Sequence, residues 1–293
     1  GPIVVWNCTR TCNLNCRHCY AEAVNTGCEG ELSTDEAKVF MESLVEYHVP
    51  VLLFSGGEPL MRKDLFDLIE YGNRIGLRMV ISTNGTLIDR DKAERIKELG
   101  VSYAGISLDG LKEVNDAFRG ASGAFDLAMK GFRNCLDVGQ RTGLRLTLSK
   151  TTFQELSGIF DLIEREKIQR VCFYHLVYSG RGSGIADEDL TREETREALD
   201  FIIEKTLDFH RRGIETEILT VDNHCDGVYL YQYMKDRDKE QAERILALIT
   251  INGGNRSGSA ISSVDWEGNV YIDQFTRDIP LGNIKENSFG DIW

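Results

Sequence analysis

Short apolar runs alternate with longer amphipathic stretches through the first two-thirds of the chain. Ile3 to Trp6, Val51 to Ser55, Leu77 to Ser82, Tyr103 to Leu108, Leu144 to Ser149 and Arg170 to Val177 have the length and β-branched character of buried strands. Helical periodicity fills the gaps, over Thr34 to Tyr47, Lys63 to Ile75, Asp89 to Leu99, Phe125 to Gln140 and Phe153 to Glu166. Ser33 or Thr34 can cap the first of these, and Asp35 and Glu36 fall in its first turn, where the helix dipole favours carboxylates. The alternation predicts an α/β fold with a parallel sheet and helical crossovers. Six strand-helix units suffice for a partial (β/α)6 barrel and are too few for a closed eight-stranded one. Ligands of such folds bind at the carboxyl ends of the strands, so chemistry is expected in the loops that follow them.

The pattern changes near Ser179. A Gly-rich segment, Ser179 to Gly184, leads into an acidic linker and a long helix from about Thr191 to Arg212, and a second helical stretch covers about Glu240 to Leu248. Ala260 to Val264 and Asn269 to Phe275 then read as a β-hairpin turned by Asp265-Trp266-Glu267-Gly268. The organisation expected is a core over residues 1–180 and a C-terminal accessory region of helices and a hairpin over residues 181–293.

Composition narrows the class. An apolar fraction of 42% with 28% charged residues belongs to a globular chain with a sizeable core. No apolar run is long enough for a membrane span and no basic leader precedes an apolar stretch, so the expected location is cytoplasmic. The net charge of -13 argues against nucleic acid and anionic membranes as partners, because both attract excess Lys and Arg. An anionic small substrate would need a local Arg pocket.

Four of the eight cysteines, Cys8, Cys12, Cys16 and Cys19, fall in the first twenty residues, a clustering that favours a metal over a disulfide framework. Cys28, Cys135, Cys172 and Cys225 are scattered and read as packing cysteines. The spacing of Cys12, Cys16 and Cys19, C-x3-C-x2-C, can wrap one loop around three irons of a cubane and leave the fourth iron open. A zinc site completed by His18 or Cys8, or a set of inert thiols, fits the spacing too. Further along, Gly56-Gly57-Glu58-Pro59, Ser82-Thr83-Asn84-Gly85 and Ser107-Leu108-Asp109-Gly110 close three successive strands. Each alone suits a turn; together they do not read as chance.

With the C-x3-C-x2-C loop after the first strand and GGEP after the second, the chain resembles the radical S-adenosylmethionine (SAM) enzymes over about its first 180 residues. The resemblance implies a 4Fe-4S cluster on Cys12, Cys16 and Cys19, with SAM chelating the open iron. It places Gly56, Gly57 and Glu58 at the methionyl amine, and Ser82, Asn84, Ser107 and Asp109 near the ribose and carboxylate. The reaction implied is reductive cleavage of SAM to a 5'-deoxyadenosyl radical that abstracts hydrogen from an unactivated carbon. No general base is needed for that step.

Val5-Trp6-Asn7, the stretch Tyr174 to Gly182, Leu219 to His224, Asn252 to Gly258 and Asp273-Gln274-Phe275 resemble the radical SAM enzymes that trim side chains from siroheme-derived tetrapyrroles in heme biosynthesis. Those substrates carry acetate and propionate groups. The resemblance therefore implies Arg119, Arg181, Arg256 and Arg277 as carboxylate-gripping residues, and His175 and His224 as groups able to approach a tetrapyrrole. It also implies an electron donor such as a ferredoxin or flavodoxin. Many relatives continue past the segment matching Phe289 to Trp293 into a Cys-rich tail holding a second 4Fe-4S cluster, and this chain is expected to stop short of it. Gly1-Pro2 likewise reads as a tag remnant or fragment edge. Two other readings remain at this level. A peptide-modifying radical SAM maturase would share the core, and a non-enzymatic zinc or redox-sensing protein would share the three cysteines.

Overall fold

The computed structural model describes residues 1–27 and 29–293; Cys28 lies outside the described residues. One sheet of ten strands organises the chain: β1 Ile3–Thr9, β2 Leu52–Gly56, β3 Met79–Thr83, β4 Tyr103–Ser107, β5 Thr142–Leu148, β6 Arg170–His175, β7 Glu217–Val221, β8 Ile261–Val264, β9 Asn269–Tyr271 and β10 Gly282–Asn283. The strand order is β10-β9-β8-β1-β2-β3-β4-β5-β6-β7. β8 and β1 to β7 run parallel, while β9 and β10 add antiparallel strands at one edge. All six expected strands are present, and among the described residues no pairing joins the edge strands β7 and β10. The α/β partial barrel holds, without closure.

The β1 sequence Ile-Val-Val-Trp-Asn-Cys-Thr is buried at every position after the first, as a parallel strand covered on both faces must be. Trp6 packs edge-on against Phe40 of the helix Thr34–Glu46, with ring centroids 5.5 Å apart, and lies 5.3 Å from Phe54 of β2. Each such ring removed from water stabilises the fold by about 1.5–3 kcal/mol. Ser33 caps this helix in a reciprocal capping box with Glu36, as the sequence suggested. The helices Leu65–Arg74, Arg90–Glu98, Ala124–Asp137 and Leu156–Arg165 follow their strands within a few residues of the expected bounds. The other face of the sheet is concave and carries the polar positions of the strands.

Three elements lacked a readable pattern. β7 is half-exposed along its whole length, so no apolar run marks it. The helices Lys112–Arg119 and Cys225–Lys235 are short or weakly amphipathic and carry their turn-like residues at the start. The expected acidic linker is instead a run of 3-10 turns, Gly180–Glu188, pinned by Arg17 to Glu188 at 2.9 Å and by Thr151 to the same carboxylate at 2.9 Å. The hairpin of β8 and β9 forms, and β8 pairs with β1, so strands after residue 180 extend both edges of the sheet. Among the described residues no helix is long and apolar enough to cross a membrane.

Candidate active site

At the carboxyl end of β1 the chain leaves the sheet in the loop of Cys12, Cys16 and Cys19. The end of β2 lies directly against it: Gly57 N donates to Thr9 O (2.7 Å) and Glu58 N to Thr11 O (2.8 Å). A Cβ on Gly57 would stand 2.2 Å from Thr11 O, and one on Gly56, at φ 122°, would stand 2.4 Å from Thr9 O. Only paired glycines allow two backbones this close. Glu58 is fully buried behind them and accepts from Thr83 Oγ1 (2.7 Å), Asn84 N (2.8 Å) and Leu60 N (3.1 Å). Burial raises its pKa, opposed by these donors. Its carboxylate is thus spent on tying the loop after β2 to the loop after β3, and its side chain does not line a cavity.

Each of the three sulfurs is met by N–H donors. Cys12 Sγ accepts from Leu14 N (3.4 Å) and Asn84 Nδ2 (3.8 Å), Cys16 Sγ from Arg119 Nη1 (3.6 Å), and Cys19 Sγ from Ala23 N (3.4 Å). Donors of this kind suit thiolates that carry the negative charge of an iron-sulfur cluster. As free thiols, burial pushes Cys12 up to about 12 and raises Cys16 as well, so deprotonation depends on a bound metal. The three cysteines line a cleft of about 120 Å³ with Gly56, Gly57 and Asn84. Arg181 Nη2 and His18 Nδ1, on residues of the same wall, are buried with no protein partner. This donor set, cleft and pair of unpartnered buried nitrogens fit a cluster with a polar ligand on it. Cys8, by contrast, sits in the main core, its thiol pushed up to about 12 by burial. His18 stacks on Phe118 at 4.6 Å and is pushed down to about 4 by burial, against the pull of Asp109.

The helix Lys112–Arg119 supports the loop from outside: Asn15 N donates to Arg119 O (3.2 Å) and Arg17 N to Phe118 O (2.9 Å). Arg119 is buried between Cys16 and Asp109, with which it is ion-paired. Asp109 is fully buried too, accepting from Thr147 N at 2.7 Å. Arg181 donates to Cys16 O and Ala23 O, both at 2.9 Å, and so clamps the loop through its carbonyls.

A second cavity, of about 130 Å³, continues along the concave face and shares Tyr20, Ser55, Ser82, Ser107 and Arg119 with the first. Tyr20, the aromatic after Cys19, donates to Asn7 Oδ1 (2.9 Å) and meets Ser55 Oγ (3.0 Å) at the junction. His175 lines the inner cavity and bonds Asp226 Oδ2 at 2.8 Å. Arg145, on β5, lines it as well. It was not among the expected site residues, although a lone charge in the run Leu144-Arg145-Leu146-Thr147-Leu148 marks it.

The structure therefore gathers Cys12, Cys16, Cys19, Gly56, Gly57, Ser82, Asn84, Ser107, Arg119, Arg181 and His175 around one continuous cavity. Glu58 and Asp109 stand behind its wall. His224 lies outside it, in a neighbouring groove of about 530 Å³ that meets the inner cavity at Asp222. Arg256 is exposed and lines none of the three, and Arg277 stacks on Trp266 at 4.9 Å while donating to Tyr20 O at 3.2 Å. Neither lines the cavity, although Gln274 and Phe275, just before Arg277 in the chain, do.

Comparison with known proteins gives a consistent picture. The family model described as the radical SAM superfamily matches residues 6–163. Fe-coproporphyrin III synthase of Methanosarcina barkeri is 52% identical over 292 residues, covering 100% of this chain and 73% of that protein. Pre-heme d1 synthase of Dinoroseobacter shibae is 36% identical, with coverage of 100% and 73%. Among solved structures, SuiB of Streptococcus suis bound to precursor peptide SuiA superposes with a TM-score of 0.79 at 16% identity, covering 100% of this chain and 64% of that one. That last likeness is one of fold.

Proposed function

Because the chain belongs to the radical SAM superfamily, whose members work with a 4Fe-4S cluster and SAM, we propose that it removes or modifies carboxylate side chains of a siroheme-derived iron tetrapyrrole in heme biosynthesis. The observation that carries this reading is the likeness to Fe-coproporphyrin III synthase along the whole chain. When bound, the cluster supplies an electron and SAM the 5'-deoxyadenosyl radical that takes hydrogen from the substrate.

The protein's own residues have the tasks of holding, orienting and excluding water. Cys12, Cys16 and Cys19 hold three irons. Gly56 and Gly57 offer backbone where a side chain could not fit, and Ser82, Asn84 and Ser107 border the remainder of the SAM cavity. Arg119 belongs on this cofactor side, held by Asp109 beside Cys16, so it is assigned here to the cluster and SAM and no longer to the substrate. Arg181 shapes the loop from behind. His175, fixed by Asp226, faces the substrate. Residues 1–180 carry most of the cofactor machinery in this reading, with Arg181 bracing the cysteine loop, and residues 182–293 complete the substrate side through Asp222 and the groove beyond. An electron donor such as a ferredoxin or flavodoxin completes the cycle.

The test is to incubate the reduced, reconstituted protein with SAM and a siroheme-derived tetrapyrrole, beside candidate peptides, and to follow substrate masses. Loss of carboxyl-bearing side chains from the tetrapyrrole supports the proposal. Modification of a peptide with the tetrapyrrole untouched overturns it.

A further inference from the structure

Arg145 is a half-buried cation that lines the inner cavity. It springs from the middle of β5, where the two-residue period puts it on the concave face with Thr147. Its stem crosses β4 at Gly105: a Cβ there would lie 2.8 Å from Arg145 Cδ. The guanidinium reaches β3, donating to Ser82 Oγ through Nη1 (2.5 Å), and donates through Nη2 to Tyr174 OH (2.6 Å) on β6. It also lies over the Tyr174 ring, 4.8 Å from the centroid. Four strands thus cooperate to hold one guanidinium in place.

What they do not supply is an ion-paired carboxylate: Asp222, which lines the same cavity and whose pKa Arg145 pulls down, makes no ion pair with it among the described residues. The groups acting most strongly to raise the Arg145 pKa are Tyr174, Tyr20 and Cys172, while burial opposes them. Arg119, in contact with the cysteine loop at Cys16, is treated differently: it has Asp109. A charge drawn partly out of water with no carboxylate in contact is costly unless something else arrives to pair with it. Two of the five guanidinium N–H groups are used in the bonds to Ser82 and Tyr174, which leaves donors for a ligand in the cavity. Arg145 lines the inner cavity and not the cysteine-lined cleft, while its partner Ser82 lines both. An anion on Arg145 would lie inward of the cofactor cleft and next to it.

From these observations we infer that Arg145 is the interior anchor for a carboxylate of the substrate, and that it turns one acid side chain of the tetrapyrrole toward the cofactor cleft while the macrocycle occupies the adjoining groove at Asp222. The inference rests on the tetrapyrrole reading and adds to it the residue that recognises the acid group. The groove, at about 530 Å³, has the size of a small-molecule ligand site and opens into the inner cavity at Asp222.

The experiment is a Soret titration of the cluster-loaded protein with iron coproporphyrin III and, separately, with its methyl ester, for the wild type, Arg145→Gln, Arg145→Lys and Gly105→Ala. Iron content checks that each variant holds its cluster, and SAM affinity is measured in parallel. The wild type is expected to prefer the free acid, and Arg145→Gln to lower the acid-to-ester preference about tenfold, the scale of one charge-assisted pair. Arg145→Lys should fall between them, because it keeps the charge and loses the fork. Gly105→Ala should lower the preference too, since the added methyl displaces the Arg145 stem. An unchanged preference in Arg145→Gln overturns the anchor and leaves the tetrapyrrole reading standing. A loss of SAM affinity with the preference intact overturns it as well, and assigns Arg145 to the cofactor. A wild type that binds neither form sinks the tetrapyrrole reading and the anchor with it. If Arg145→Gln cannot hold a cluster, the other two variants decide by the same criteria.

Discussion

Arg119 Nη1 donates to the Cys16 sulfur at 3.6 Å, while the other end of the same guanidinium is ion-paired with the fully buried Asp109. A fixed positive charge is thereby built against one of three thiols. Positive charge and hydrogen bonds at a cluster sulfur favour the reduced cluster. Arg119→Gln is expected to make the cluster harder to reduce, by tens of millivolts in order of magnitude, as read in an EPR-monitored redox titration. The same change strands Asp109 and should cost about 3–5 kcal/mol of stability. An unaltered potential would show that Arg119 acts only as a brace for the loop.

The two glycines after β2 offer a sharper structural test. Gly57→Ala drives a methyl into Thr11 O, which lies 2.2 Å from the ideal Cβ position, and Thr11 precedes Cys12 in the chain. The loop must shift, so iron incorporation should fall together with a stability loss of about 1–3 kcal/mol. Iron content per chain and thermal unfolding measure the two effects. Full iron loading with native stability would mean that the close approach of the two backbones is dispensable.

Much of this arrangement was legible from the order of residues. The six strands of the core showed as apolar runs because a parallel sheet buries both faces, and the cysteine loop, GGEP, STNG and SLDG segments showed because each ends a strand where the fold presents ligands. Three parts were hidden. β7 is half-exposed and mixes Glu and Thr into its run, and the helix Lys112–Arg119 looks like the tail of a turn. The partners of each Arg depend on contacts far apart in sequence. Arg119 and Asp109 are ten residues apart across a turn and a helix, Arg181 and Arg277 bond carbonyls of the loop near the N-terminus, and Arg256 is exposed. Sequence shows that an arginine is present; packing decides whether it meets a ligand or a backbone carbonyl.

Cys8 provides a contrast with the three loop cysteines. It is fully buried in the main core and its thiol is pushed up to about 12, the state of an inert packing group. Cys8→Ala should keep its full iron content at a stability cost of about 1–2 kcal/mol. Cys12→Ala, Cys16→Ala and Cys19→Ala should each lose iron. Iron and sulfide analysis of the four variants checks this, and loss of iron from Cys8→Ala would make Cys8 part of the metal site.

Asp222 supplies the pH dependence. It is an exposed residue in a left-handed backbone conformation, φ 68°, at the meeting point of the inner cavity and the groove. Atoms crowded around its carboxyl push the pKa up to about 6, against the opposing pull of Arg145, His175 and His224 and with the help of Asp273. The folded pKa is above the unfolded one, so the contribution of this group to stability is present below about pH 3.8 and is lost as pH rises through about 6. In binding, the neutral acid can donate to a substrate carboxylate and the ionised form repels it. Wild-type affinity for a carboxylate-bearing tetrapyrrole should therefore weaken between about pH 5 and 7. Asp222→Asn, which tolerates the left-handed backbone, should flatten that step. Titrations at several pH values compare the two proteins, and an equal step in both would remove Asp222 from the account.

The most direct test of the central claim is anaerobic formation of 5'-deoxyadenosine by the reconstituted, reduced protein, with and without a siroheme-derived tetrapyrrole, beside Cys16→Ala. The account predicts that 5'-deoxyadenosine forms, rises when the tetrapyrrole is added, and disappears in Cys16→Ala. Formation that ignores the tetrapyrrole, or that survives the loss of Cys16, would contradict it.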